Sequence, residues 1–208
     1  MCNNLIKCSN RNQCERGTSS VMFVPNAVLF PGCLIPINVF ESRFRMMLKD
    51  VLSGSRTFIL SFHPENLMQR ITGTLGLVRS CVDQKDGTSI LMLEGLKRVL
   101  LEQRRTHKPY PTCEYQPVHN TDDYKKLDQP LVRNLRNQIH QLNKRVGSDF
   151  ELYCSTENIY EITSTCDRLI DMTTHTLSFK KEFFDCVSIE RKIKQTLDVI
   201  DNINRNDI

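Results

Sequence analysis

The apolar positions of this chain change rhythm near its middle. From residue 21 to 118 they come in short runs bounded by turn residues, the pattern of strands. Val21, Met22, Phe23 and Val24 form one run. Residues 27–40 form a longer one, interrupted by Pro31 and Pro36. Proline cannot donate to a ladder, so this segment is expected at an edge, a bend or a bulge. Phe58, Leu60 and Phe62 alternate at period two, and residues 71–82 carry Gly73 and Gly76, where a strand bends or another backbone approaches closely. Residues 83–87 end in Asp86 and Gly87 and predict a hairpin turn. Gly95 reads as an interruption, with a strand resuming over 97–103. A last strand over 110–118 has prolines near both ends, which suits an edge.

One helix interrupts this half. Phe44, Met47, Leu48, Val51 and Leu52 recur at the spacing of an amphipathic stripe, and Gly54 follows as a stop. Beyond residue 126 the period becomes helical throughout. Leu127, Leu131, Leu135, Ile139, Leu142 and Val146 make one seam, residues 158–172 a looser one, and Ile189, Ile193, Leu197, Ile200 and Ile203 a third. The tail, 204–208, reads as polar and frayed. Strands followed by helices indicate an α+β architecture. The chain thus divides into a polar leader (1–20), a β-rich subdomain (21–118), a connector (119–126) and a helical subdomain (127–208).

Composition limits the function. A chain of 208 residues is one large domain or two small ones, which leaves no space for several catalytic domains. The net charge of +4 and pI of 8.6 fall short of a dedicated nucleic-acid binder. The basic stretches at Lys97–Arg98 and 104–108 read as solvated faces or turns. The longest apolar run is too broken to span a membrane, and residues 1–20 lack the apolar core of a secretory signal. A cytosolic location with reduced thiols is therefore expected, with neither membrane nor nucleic acid as a partner.

The nine cysteines, at 2, 8, 14, 33, 81, 113, 154, 166 and 186, contain no CxxC pair. Cys2, Cys8 and Cys14 lack both the spacing and a nearby histidine for zinc, and read as part of a flexible end. Cys81, Cys113 and Cys186 read as small buried hydrophobes. Phosphate-binding loops, HExxH and GxSxG are all missing, so no cofactor and no metal are expected. A Cys–His pair needs adjacency only in space, which keeps a thiol-dependent hydrolase through Cys33 or Cys113 open as an alternative. Weak nucleic-acid binding near Arg104 is another. His63 reads as a turn histidine.

The informative stretch runs through Leu29, Phe30, Pro31, Gly32, Phe40, Glu41, Arg43 and Phe44. It continues, in order, through Gly73, then Glu94 and Gly95, then Pro109 and Tyr110, and more faintly through 180–185 and 189–193. This series resembles the N-terminal domain of Lon proteases, a domain type also found in cereblon and in RING-containing relatives. The resemblance implies a β-rich, PUA-like pseudo-barrel followed by a helical bundle. It implies a region that recognises unfolded or tagged substrates, while the ATPase and the Ser–Lys peptidase lie elsewhere. The expected function is a non-catalytic module for unfolded or exposed hydrophobic polypeptide segments, with a protease or ATPase as a further partner. The signature residues read as structural: Phe40 and Phe44 in the core, Arg43 paired with a carboxylate such as Glu94. Phe23, Thr72 and Lys192 depart from the family pattern, Lys192 standing where arginine is common. Binding is expected on exposed apolar surface or at a sheet edge, without assignable residues.

Overall fold

The computed structural model describes residues 16–65, 71–105, 107–118, 127–146, 159–174 and 176–206. Six strands and five helices follow in the order β1 (Gly17–Phe23), β2 (Leu34–Val39), α1 (Ser42–Ser53), β3 (Thr57–Ser61), β4 (Ile71–Asp83), β5 (Ser89–Arg105), β6 (Thr112–Pro117), α2 (Gln129–Val146), α3 (Ile159–Thr173), α4 (Leu177–Asp185) and α5 (Ile189–Asn206). The α+β class is as expected. The strand order is β2-β5-β4-β3-β1-β6, and β5 pairs with β6 as well. That second pairing closes β1, β3, β4, β5 and β6 into a pseudo-barrel. All pairings are antiparallel except β1 with β3.

The 17-residue β5 takes part twice. Its second half pairs with the start of β4 and with β6, inside the barrel. Its first half pairs with the far end of β4 and with β2, forming a three-stranded wing that projects from the barrel. Register shifts between Leu75 and Gly76 and between Val78 and Ser80 bend β4 where barrel passes into wing. Gly95 does not interrupt β5, contrary to the sequence expectation. It is glycine because a Cβ there would sit 2.2 Å from the carbonyl oxygen of Phe30.

Each layer buries its own apolar set. Val21, Ile59, Leu75, Val99 and Leu101 fill the barrel. Helix α1 lays Phe44, Met47, Leu48 and Val51 on one face of the wing, against Ile37, Val39, Leu91 and Leu93. The helices bury most of the seams foreseen from their spacing: Leu135, Ile139 and Leu142 from α2, where Val132 is buried in place of the half-buried Leu131, and Ile189, Ile193, Leu197 and Ile200 from α5. Helix α4, nine residues long, is too short for its period to be legible in sequence. Strand β1 begins at Gly17, within the span read as leader, and α5 continues to Asn206, within the span read as frayed. Cys2, Cys8 and Cys14 lie outside the described residues.

The two halves meet around one aromatic ring. Phe30 is fully buried in the helical core, edge-on to Phe183 with centroids 6.2 Å apart and tilted against Phe184 at 5.7 Å. The turn that delivers it is fixed by glycine. Gly32 has a φ of 78°, which favours a residue without a Cβ, and its N–H donates to the Gly95 carbonyl at 2.8 Å. The Gly95 N–H donates in turn to the Cys33 carbonyl at 2.9 Å.

Candidate peptide-binding surface

The wing is apolar on both faces, although α1 covers only one. On the covered face Ile37, Val39, Leu91 and Leu93 are buried. On the other, Leu34 is 54% exposed, Val82 59% and Ile90 44%. Register places Ile90 beside Val82 and Met92 beside Pro36, while Leu34 faces Glu94 of β5 one rung further on. Asn38 faces Ile90, which faces Val82, and the next rung is Pro36, Met92 and Ser80. The Glu94 that faces Leu34 is on the central strand of the wing and is salt-bridged to Arg79, so a charged pair closes the Leu34 end of the face. Period-two alternation carries the same β2 face from Leu34 through Pro36 and Asn38 to Phe40, 63% exposed. Phe40 also borders a groove of about 320 Å³ between the turn at Pro25 and Ala27 and the end of β2. Exposed apolar residues in register on one sheet face form a patch, and patches of this kind mark interaction sites.

Among the described residues strand β2 is a free edge of the sheet, but it is a poor template for strand addition. The Gly95 N–H bonds to Cys33, two positions before Ile35. By antiparallel parity, odd-numbered β2 residues bond to β5, and Leu34, Pro36 and Asn38 turn their backbones outward. Pro36 therefore removes the middle donor of the free edge, a recognised form of edge protection. The wing face, offering side chains, is the better-equipped surface.

The thiol and histidine candidates lie elsewhere. Cys33 is buried, and its thiol is pushed up to about 12 by burial first and then by Asp171 and Asp167. Such a thiol resists forming the nucleophilic thiolate. Cys113 is buried in the barrel, whereas Cys81 and Cys186 are only half-buried, a correction to the sequence expectation. His63 Nε2 lies 3.0 Å from the Thr72 hydroxyl, which also donates to Asp185 on α4. These contacts join the end of β3 to the bundle. Among the described residues no cluster of His, Cys, Asp or Glu is arranged to hold a metal ion.

One cluster escaped the sequence reading altogether. Arg98, read as a solvated basic residue, is nearly buried and donates from Nη2 to Asp167 Oδ1 at 2.7 Å. Lys192 is wholly buried and lies 3.4 Å from the same oxygen. Its amine sits 4.8 Å from the centroid of the Phe183 ring. Burial pulls the Lys192 amine down to about 8, with Asp167 opposing the shift. The cluster joins β5 to α3 and α5. Only the sequence remark on Lys192 touched it.

The family profile of the ATP-dependent protease La (LON) substrate-binding domain matches residues 18–202. The chain belongs to this Lon domain family. Its fold is similar to the N-terminal domain of the Lon protease of Mycobacterium avium complex, with a TM-score of 0.68 at 14% identity over 89% of this chain and 98% of that one. A Lon N-terminal domain protein from Xanthomonas campestris gives a TM-score of 0.59 at 17% identity, covering 87% of this chain and 97% of that one. A Lon protease of Desulfosudis oleivorans is 21% identical over 86% of this chain, which spans 23% of that protein's length. The matched region is the substrate-binding domain, not a catalytic one.

Several of the residues that carry the Lon resemblance lie in the folded interior. Leu29, Phe30, Phe44 and Tyr110 are buried, Pro31 forms a bridge with Gly95, and a Cβ on Gly73 would meet Ile59 and Leu60 below 3 Å. The Tyr110 hydroxyl bonds to Asp50 and accepts from Lys108 at 2.7 Å, while Pro109 is exposed. Two expectations are corrected. Phe40 is exposed, because it follows the outward parity of β2. Arg43 pairs with Glu41 and Glu65, each at 2.9 Å, because Glu94 lies across the wing beside Arg79. In the described residues no helix is long and apolar enough to cross a membrane.

Proposed function

We propose that this chain is a non-catalytic polypeptide-binding module that holds unfolded or exposed apolar segments on the outer face of the wing. The observation that carries this is the registered apolar face of Leu34, Pro36, Ile90, Met92 and Val82, continued by Phe40. A side-chain surface without a hydrogen-bond template suits segments of varied sequence, since apolar burial is not directional. Membership of a substrate-binding family supports the reading, as does a Cys33 thiol held far from ionisation. A protease or ATPase would act on what is held here.

The test is a titration of a fluorescent, permanently unfolded polypeptide against the wild type and the double variant Val82→Asp/Ile90→Asp. Both positions are exposed, so folding should persist. Binding is expected to weaken at least tenfold in the variant. Equal affinity would remove the wing face from the proposal. Cleavage of casein by the wild type, abolished by alkylation of its thiols, would replace the proposal with the hydrolase alternative.

A further inference from the structure

We infer that the junction of barrel and bundle holds a second binding site, for a carboxylate carried on a small apolar body. A cleft of about 240 Å³ opens there, walled by Pro31, Pro117, Val118 and Tyr160. Lys97 and Arg98 from β5 and Asp167 from α3 also line it. The volume lies below the drug-sized range and suits one residue-sized group.

The charge of the cleft selects the ligand. The Arg98 side chain is only 9% exposed and stacks on Phe184 at 4.7 Å, and among the described residues one of its five N–H donors is spent, on Asp167. Arg98 Nε and Asp167 Oδ2 both lack a hydrogen-bond partner among the described residues and are both closed to solvent, which leaves the Arg98 Nη groups to meet a ligand. Among the described residues Asp167 is the only carboxylate within salt-bridge distance of either Arg98 or Lys192. The buried set thus carries two positive charges against one negative. Buried charge without compensation is costly, and an anion beside Arg98 relieves it. A planar carboxylate is the group that a guanidinium with unspent donors binds best. The apolar walls then take whatever body the carboxylate carries. A polypeptide C-terminus and a small free acid share this chemistry.

The site is remote in chemistry from the wing face, so its test is independent. Binding to the full chain is measured with N-acetyl-leucine, N-acetyl-leucinamide and a leucine-terminated hexapeptide in acid and amide forms. Backbone NMR shifts locate the site. Each acid is expected to bind at least tenfold more tightly than its amide, with shifts centred on Val118, Thr163 and Ser164. Lys97→Gln and Val118→Glu should each weaken the acids at least fivefold without moving the thermal midpoint, whereas Ile90→Asp leaves them unchanged. A hexapeptide acid tighter than N-acetyl-leucine assigns the site to polypeptide C-termini; the reverse order assigns it to small acids. Equal binding of acid and amide, shifts centred elsewhere, or no binding at 10 mM overturns the inference.

Discussion

The two halves of this molecule are specified in different ways. In the barrel and wing, individual positions are fixed by backbone geometry. Gly95 admits the Phe30 carbonyl, Gly73 admits Leu60, and Gly32 takes a positive φ. In the bundle, a seam of apolar residues is enough, and Ile, Leu and Val at the same spacing would bury comparable area. This is why the β half carries dense family motifs while the helical half shows its family only faintly. A backbone that touches a backbone tolerates one residue; a side chain in a fluid-shaped seam tolerates several.

The sharpest way to break this comparison is to make a small substitution in each half. Gly95→Ala adds one carbon against a carbonyl that the barrel cannot move, and is expected to cost about 4 kcal/mol or prevent folding. Ile193→Leu, equally buried in the bundle, should cost less than about 1.5 kcal/mol. Urea denaturation measures both. Similar losses at the two positions would erase the distinction.

The joint between the halves should rank next. Asp167→Ala leaves Arg98 and Lys192 buried without their shared anion, and about 3–5 kcal/mol is expected to be lost. If the halves share one cooperative unit through this joint, fluorescence and far-UV circular dichroism will follow a single transition in the wild type. Two separated transitions in the variant would locate the loss at the joint.

A pH series gives a smaller effect with a defined sign. The Lys192 amine ionises near 8 when folded and 10.5 when unfolded, so the folded chain is penalised below pH 8 and relieved as pH rises from there toward 10.5. The Cys33 thiol ionises near 12 when folded and 9 when unfolded, so its contribution is full below pH 9 and is lost from 9 to 12. Stability should climb by about 1 kcal/mol between pH 7 and 9, level off to about 10.5, and then fall. Lys192→Met should flatten the climb, and Cys33→Ala should postpone the fall. A climb that persists in Lys192→Met would show that other groups cause it.

The smallest effect belongs to the wing face. Ile90→Ser should change stability by less than about 0.5 kcal/mol while weakening polypeptide binding, because the side chain is solvated in the free protein. A large stability loss would mean that this face is covered in solution, by a second copy or by another segment.

Much of this architecture was legible in the linear chain. The hairpin at Asp86 and Gly87, the stripe of α1 and the seams of α2 and α5 follow from local periodicity and turn chemistry, which need no partner to be recognised. Phe40 was misplaced because period two says which residues share a face, not which face is covered. Arg43 was matched to the wrong carboxylate because pairing depends on which strands become neighbours. The wing face was invisible for the same reason, since register across three strands is what sets Ile90 beside Val82 and Met92 beside Pro36. Arg98 beside Lys97 looked like solvated surface, and Lys192 like one charge on a charged helix.

By itself, then, the sequence determined the passage from strands to helices, the α+β class and the family, because these rest on short-range spacing and on glycines and prolines at fixed offsets. Only the tertiary structure decided which apolar residues stay in water and which charges leave it. Both are long-range outcomes: a strand face stays exposed when no helix among the described residues packs on it, and Lys192 is buried because Asp167, 25 residues away in sequence, arrives beside it.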